Sequence, residues 1–415
     1  MSNEGTARRA ILRVWWGPMA YHKAIIEPDQ VLRVGRAEFM GLALPQDEHM
    51  AAHHFELFWR GSQCWLKDLG SNSGTFLGGS RVGQGELSNG SWVRAGRTDF
   101  MVYFEGATPA RVLDTPEPPA LVARKLHALE VLRSQELPLF AILDSARDER
   151  ILVLLQESVE EFRSLYEGTQ GQALAEVAPY LVALPKDSRL LEALVEEGWG
   201  HSWGVYLTCS LPFQELRRHF RKLLMVKAEG FERRLYFRCY DPRVLRPLLE
   251  MYHPSQKAML FGDVERYLLE GKDQEVLCLK PEVGTGVNAD TPDEILIEKR
   301  QLDLLGDELM ATFVSRVSQR IRQDFQNEAL VRGMEPSSLE QFVRSRVDDA
   351  RNHGVVQVLD VEYFITCCVV LGPDFYQQEK YGWATEILND KDWDGTMKMK
   401  RIAQRLSQAV REQET

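Results

Sequence analysis

The sequence predicts a multidomain protein: an N-terminal all-β sandwich, a central α/β (α+β) domain and a C-terminal all-α helical bundle. A chain of 415 residues is too long for one hydrophobic core. Two segments rich in proline, glycine and acidic residues, 106–120 and 280–294, interrupt the regular patterns. The hydrophobic spacing also changes from strand-like to helix-like along the chain. We therefore predict a sandwich over 1–106, a linker over 107–136, a central domain over 137–280 and a helical domain over 281–415.

The N-terminal part contains short runs of β-branched and aromatic residues, such as ILRVWW, QVLRVG, HFELFW and DFMVYF, separated by Gly, Asn and Ser turns. This pattern is typical of a β-sandwich. In the central part, strands are predicted at 179–185, 204–210 and 233–240, and both 139–144 and 150–156 are interpreted as buried strands or strand-helix junctions. Helices are predicted at 188–199, 212–224 and from Pro242, with Ser188 and Asp241 as N-caps.

The last part has apolar residues every three or four positions, which predicts amphipathic helices in a small bundle. A helix is expected near 337–354, with a serine cap at its start and Gly354 after its end.

Composition narrows the function. A net charge of −11 argues against a nucleic-acid binder, because such binders neutralise phosphates with basic residues. No apolar run is long enough to cross a membrane, and the N-terminus lacks the features of a signal peptide. The six cysteines and nine histidines show no metal-binding spacing. We therefore expect a cytoplasmic protein with no cofactor, no metal and no membrane insertion.

Four blocks carry a resemblance: VGR at 34–36, HH at 53–54, DLGSNSGTF at 68–76 and LSNGSWVRAG at 87–96. In order and spacing they resemble a forkhead-associated (FHA) domain, a β-sandwich family whose loops bind phosphothreonine peptides. The resemblance implies phosphopeptide-binding residues at Arg36, Ser71, Asn72 and Ser73. It also implies that His54 stiffens the loops.

Three positions depart from the family pattern. The family serine three residues before the histidine is Ala51 here, the asparagine that grips the peptide backbone is Ser73, and Asn72 replaces a phosphate-contacting hydroxyl residue. A phosphate dianion needs several charge-assisted donors, and each replacement removes one or weakens the grip on the peptide. Two interpretations remain open: a phosphothreonine reader that uses Arg36, or a sandwich kept as a docking scaffold.

GHSWG at 200–204 matches the G-x-S-x-G pattern of serine hydrolases, with Asp241 and His253 following in the expected chain order. The hydrolase elbow needs a strand before the serine and a helix after it. Here a predicted helix precedes Ser202 and a predicted strand follows it, which disfavours a nucleophile.

The block from EEGWGHSWG through LPFQELRRHFRKLL to YDPRVLRPLL resembles the Tap/VasW-type family of type VI secretion adaptors, a domain of unknown function. The resemblance covers roughly 137–270. It implies a chaperone that holds a secreted effector protein and helps load it onto a spike protein of the VgrG or PAAR type.

Basic residues of this block are candidate partner-binding residues, because local positive charge on an acidic protein can steer an acidic partner. They are Arg217, Arg218, Arg221, Lys222, Arg243 and Arg246. The alternative is a solvated helix face whose cations pair with neighbouring carboxylates.

Three hypotheses follow. The leading one is a non-enzymatic adaptor that loads an effector. The second is a module that recruits a phosphoprotein through Arg36. The third is a serine hydrolase that uses Ser202.

Overall fold

The computed structural model describes residues 9–17, 19–112, 116–168, 173–281 and 294–413. Part of the linker predicted at 107–136 and most of the segment predicted to separate the last two domains lie outside these ranges. The chain forms two compact units, 1–301 and 302–415. Among the described helices, none combines the length and the apolar character that a bilayer crossing requires.

The N-terminal part is a β-sandwich, as the sequence predicts. One sheet has the strand order β2-β1-β11-β10-β7-β8 and the other β4-β3-β5-β6-β9. Phe55 and Phe100, one from each sheet, pack edge to face with ring centroids 5.5 Å apart. The strands are β1 Ala10–Trp16, β2 Lys23–Ile26, β3 Val31–Gly35, β4 Leu42–Ala43, β5 Phe55–Arg60, β6 Gln63–Asp68, β7 Thr75–Leu77, β8 Ser80–Val82, β9 Gln84–Leu87, β10 Ser91–Ala95 and β11 Thr98–Phe104.

The central part is an α/β region built on an antiparallel sheet of order β13-β14-β12-β15-β18-β19, and a three-stranded sheet of order β17-β16-β20 lies beside it. The strands are β12 Leu139–Asp144, β13 Phe162–Ser164, β14 Pro179–Leu184, β15 Gly204–Cys209, β16 Met225–Ala228, β17 Leu235–Tyr236, β18 Val264–Glu270, β19 Val276–Leu279 and β20 Leu296–Ile297. The helices are α1 Pro119–Arg133, α2 Glu149–Gln156, α3 Arg189–Gly198, α4 Phe213–Leu223, α5 Pro242–Met251 and α6 Pro254–Phe261.

Both predicted caps of the central part are present. The Ser188 hydroxyl accepts a hydrogen bond from the backbone amide of Leu191 at 3.1 Å, and the Asp241 carboxylate accepts one from Arg243 at 3.0 Å. Two interpretations need correction. Residues 150–156 belong to helix α2, whose cap is Asp148, and the strand predicted over 233–240 is only two residues long.

The second unit is helical, as expected. Its helices are α7 Lys299–Asp324, α8 Pro336–Asn352, α9 Val358–Leu371, α10 Gly382–Asn389 and α11 Gly395–Gln413, where the first begins in the preceding unit. Helix α8 starts at Pro336 with Glu335 in the cap position, so the predicted serine cap is wrong, because proline already occupies the first helical position. Gly354 follows the end of α8 with φ +78°, as predicted.

Polar contacts join the sandwich to the central part. The Lys23 ammonium on β2 donates to the backbone carbonyls of Ser158 at 3.1 Å and of Glu160. Asn89 donates from its side chain to the Glu157 carboxylate at 2.7 Å. Glu157 is only 5% exposed, whereas its donor Asn89 is open to solvent. The sandwich is thereby fixed against the central part.

Candidate functional site

Arg36 follows strand β3 at one end of the sandwich. Its backbone amide donates to the carbonyl of Ala51 at 2.9 Å, which joins the loop after β3 to the loop before β5. The two loops touch at Gly35, where an added Cβ would lie 2.2 Å from the carbonyl oxygen of Ala52. Only glycine fits this approach without moving the backbone. The Arg36 side chain is exposed, and it makes no hydrogen bond or ion pair within the described part of the chain.

His54 braces two loops from beneath. Its Nδ1 accepts a hydrogen bond from the Ala51 amide at 3.0 Å, and its Nε2 lies 3.2 Å from the carbonyl oxygen of Gly74. The ring is fully buried, and burial lowers the pKa of His54 below its ordinary value. A neutral ring with a proton on Nε2 satisfies both contacts. The stiffening role that the FHA resemblance implies for this histidine agrees with this geometry.

Asp68 holds the glycine- and serine-rich loop after β6. One carboxylate oxygen accepts from the amides of Gly70 and Ser71 at 2.8 and 2.9 Å. The other accepts from the hydroxyls of Ser71 and Thr75 at 2.5 and 2.6 Å. Burial acts to raise the pKa of Asp68, but these hydrogen bonds outweigh burial and hold the pKa below its usual range. The loop therefore keeps its shape through an ionised carboxylate inside the chain.

The proposed recognition residues divide into two groups. The Ser71 hydroxyl is buried against Asp68, so it supports the loop and does not face solvent. Asn72 and Ser73 are exposed, and the Ser73 hydroxyl donates to the carbonyl of His49 at 2.9 Å. The outward surface thus contains Arg36, Asn72 and Ser73.

Arg81 on β8 also lies beside this loop and was not predicted from the sequence. A Cβ at Gly74 would lie 2.6 Å from Arg81 Nε, so the guanidinium packs on the last glycine of the loop after β6. The signal lay in the hairpin: Gly78 and Gly79 form the turn between β7 and β8, which pairs Phe76 with Arg81. A second cation therefore lies beside the loop.

The basic helix α4 has two kinds of cation. Arg217 donates to the Ser164 carbonyl at 2.8 Å and pairs with Glu167 at 3.0 Å, and Arg221 pairs with the same glutamate at 2.6 Å. Arg218 and Lys222 are exposed, and they have no ion pair within the described residues. The sequence suggested pairing with neighbouring carboxylates, but Arg217 and Arg221 pair with a glutamate about fifty positions earlier in the chain.

The other two candidate cations belong to α5. Arg243 forms a bidentate pair with Asp241, with distances of 2.9 and 2.6 Å, and Arg246 is half-buried. The Asp241 pair lowers the charge that Arg243 can offer to a partner.

Ser202 lies between helix α3 and strand β15, in the order that the sequence predicts. Its φ is +53°, and its amide donates to the Glu270 carboxylate at 3.1 Å. Its hydroxyl lies 3.5 Å from the same carboxylate. Asp241 caps α5, and His253 Nε2 lies 3.1 Å from Glu298. Each member of the suggested triad therefore has its own partner elsewhere.

Two family models match the chain. The FHA domain model matches residues 32–96, which include the braced loops and Arg36. This segment is an FHA domain. A model named domain of unknown function DUF4123 matches residues 139–259, which include α4, Ser202 and most of the central sheet.

Several solved FHA domains are similar to the first quarter of the chain. The FHA domain of the CT664 protein from Chlamydia trachomatis is 22% identical, covers 23% of this chain and 96% of its own, with a TM-score of 0.22. The FHA domain of a hypothetical protein from Arabidopsis thaliana is 22% identical, covers 27% and 100%, with a TM-score of 0.24. An FHA domain studied for phosphothreonine-dependent interactions is 22% identical, covers 25% and 99%, with a TM-score of 0.22. No curated protein is significantly similar to this chain.

Proposed function

We propose that this chain is a non-enzymatic adaptor that binds a type VI secretion effector and helps load it onto a spike protein of the VgrG or PAAR type. The DUF4123 domain would hold the effector, and the FHA domain would dock a further protein. The observation that carries the proposal is the fixed junction between the two domains, where Lys23 and Asn89 donate into buried positions of the DUF4123 domain. Two binding modules in fixed geometry suit a protein that brings partners together.

The exposed cations of α4 supply a candidate contact for the effector. Arg218 and Lys222 lie opposite the buried side chains of the helix, among them Leu216 and Phe220. On a chain with net charge −11, this local positive charge would steer an acidic partner surface.

The proposal is tested by secretion from cells that lack the protein. We expect one effector to disappear from the medium while others remain, and the wild-type chain to restore it. The double variant Arg218→Glu, Lys222→Glu should restore much less. A double variant with the same change in charge elsewhere, Arg60→Glu and Lys186→Glu, serves as control. Normal secretion without the protein would contradict the adaptor role. Full rescue by the α4 variant would contradict the role of the α4 cations in binding the effector.

A second candidate function is the recruitment of a phosphothreonine protein. It is supported by Arg36, an exposed guanidinium that has no ion pair among the described residues and lies between loops that His54 and Asp68 brace. A preorganised cation of this kind binds a phosphate without first giving up an internal partner. Ala51 and Ser73 would make the binding weaker than a full set of donors allows.

Fluorescence anisotropy with a phosphothreonine peptide library and its unphosphorylated counterpart tests this candidate. Arg36→Ala should abolish binding, whereas Arg33→Ala, three residues earlier on strand β3 and paired with Glu56, should leave it unchanged. Equal binding of the unphosphorylated peptides would rule it out.

A further inference from the structure

A cavity of about 430 Å³ lies between the N-terminal β-sandwich and the DUF4123 domain. Its size falls within the range of ligand sites, about 300–1,000 Å³. Aromatic rings from both domains form its walls: Trp15, Trp16 and Tyr21 on one side, Tyr166 and Tyr180 on the other. None of these residues belongs to the loop surface around Arg36.

Three arginines also line the cavity, and two of them have partners within the chain. Arg163 donates to the Tyr21 carbonyl at 2.9 Å, and Arg217 is held by the Ser164 carbonyl and Glu167. Arg13 differs. It makes no hydrogen bond or ion pair within the described residues, although its side chain is only 7% exposed.

Aromatic rings surround the Arg13 guanidinium. It lies 4.6 Å from the ring centre of Phe162 and 5.8 Å from those of Trp15 and Tyr21. Burial lowers the pKa of Arg13, which reflects the loss of hydration around its charge. Cation–π contacts offset about 0.5–2 kcal/mol of that loss, whereas an uncompensated buried charge costs several kcal/mol. A carboxylate in the cavity would supply the missing counter-charge.

The rim of the cavity indicates the size of the partner. Trp15 and Trp16 are 47% and 54% exposed, so apolar surface continues from the cavity onto the outside of the molecule. A small metabolite would leave this surface uncovered. Buried aromatic and arginine side chains of this kind are enriched at the centres of protein interfaces.

We propose that this cavity binds a polypeptide segment of a partner protein, in which a carboxylate meets Arg13 and an adjacent aromatic or aliphatic side chain packs on the two tryptophans. The site goes beyond the proposed function, because it uses neither Arg36 nor the exposed cations of α4. It makes the junction between the two domains a recognition element in its own right.

The test uses the full-length chain labelled with 5-fluorotryptophan and observed by fluorine NMR. The Trp15 and Trp16 resonances are assigned with Trp→Phe variants. The probes are the dipeptide acetyl-Asp-Phe-amide, its neutral counterpart acetyl-Asn-Phe-amide, and phenylacetate. We expect the acidic dipeptide to shift both resonances with a Kd on the order of 1 mM, and the neutral dipeptide to bind at least about tenfold more weakly.

Three variants test whether the dipeptide binds in this cavity. Arg13→Gln should weaken the acidic dipeptide at least about tenfold without lowering the melting temperature, because it removes an uncompensated buried charge. Arg60→Gln, an exposed arginine 5.6 Å from the Trp65 ring centre, should change nothing. Should Arg13→Gln fail to fold, Trp16→Ala tests the same site from the exposed rim and should also weaken binding.

Three results would overturn the proposal. One is equal binding of the acidic and neutral dipeptides, or no shift with either up to about 10 mM. Another is unchanged affinity in both the Arg13 and the Trp16 variants. The last is tighter binding of phenylacetate than of the dipeptide, which would make the cavity a small-molecule site.

Discussion

The side-chain amide of Asn89 donates a 2.7 Å hydrogen bond to the carboxylate of Glu157. Asn89 belongs to the FHA domain, and Glu157 is the residue that ends helix α2. The same carboxylate accepts from the amide and the hydroxyl of Thr108, at 2.8 and 2.5 Å. One buried carboxylate thus joins the sandwich, the start of the linker and the DUF4123 domain.

We predict that Glu157→Ala loosens this junction, because it leaves Asn89 and Thr108 without their acceptor. Both donors are exposed, so water replaces part of each lost hydrogen bond. A net loss of about 0.5–1.5 kcal/mol per hydrogen bond should make local opening of the linker about tenfold more frequent. Limited trypsin digestion should then cut after Arg111 faster. Glu136→Ala, which removes an exposed glutamate, is the control. Unchanged cleavage would mean that other contacts hold the domains together.

Gly35→Ala should destabilise the recognition end of the FHA domain. The added methyl would lie 2.2 Å from the Ala52 carbonyl oxygen, and both atoms belong to the backbone framework. Such overpacking costs about 1–3 kcal/mol. Chemical denaturation followed by tryptophan fluorescence measures the loss. Gly83→Ala is a fair comparison, since no atom lies within 4 Å of its Cβ position, and a similar loss there would contradict the argument.

Ala51→Ser should improve phosphothreonine binding if the FHA domain reads that group. Position 51 lies in the loop that His54 and Arg36 hold, and the FHA resemblance implies a phosphate-contacting hydroxyl there. A hydrogen bond to a charged group contributes about 1.5–3 kcal/mol, which corresponds to about tenfold or more in Kd. Titration of one phosphopeptide against both proteins measures the gain. The double variant Ala51→Ser, Arg36→Ala should lose this gain in affinity. A gain that persists without Arg36 would mean that the hydroxyl does not contact the phosphate beside Arg36.

Glu270 should make stability depend on pH. Burial raises its pKa to about 7 from an ordinary value of 4.5, although the amides of Gly200 and Ser202 donate to it. Between pH 4.5 and about 7, the folded state therefore keeps a proton on Glu270 that the unfolded chain releases. The resulting stabilisation is complete below pH 4.5, falls as pH rises through 7 and amounts to about 3 kcal/mol at most.

Urea unfolding of the wild type and Glu270→Gln between pH 5 and pH 8 checks this. The variant, which cannot ionise at this position, should lose less stability than the wild type over that range. Parallel profiles for the two proteins would show that Glu270 is ionised throughout.

Local patterns predicted much of this molecule. The alternation of apolar residues indicated the sandwich, and Ser188 and Asp241 cap the helices that the sequence predicted. Residues 150–156 are a short apolar run, for which periodicity does not separate a helix from a buried strand; the decisive signal was Asp148, which caps the helix.

Contacts between distant segments escaped prediction. Arg217 and Arg221 share Glu167, and nothing in the spacing of these residues indicates that they meet. Arg13 shows the same limit more sharply, because its position on a strand predicts neither burial nor the lack of a counter-ion. Both depend on how one domain packs on the next.

The loop after β6 contains residues that hold its shape through Asp68 and residues that face solvent. The shape of the loop depends on inward groups, Ser71 and Thr75, whereas any contact with a ligand would depend on outward ones, Asn72 and Ser73. Exchanges at the outward positions leave the four hydrogen bonds of Asp68 untouched. During evolution, substitutions at this end of the domain can therefore create or remove ligand binding without loss of the fold.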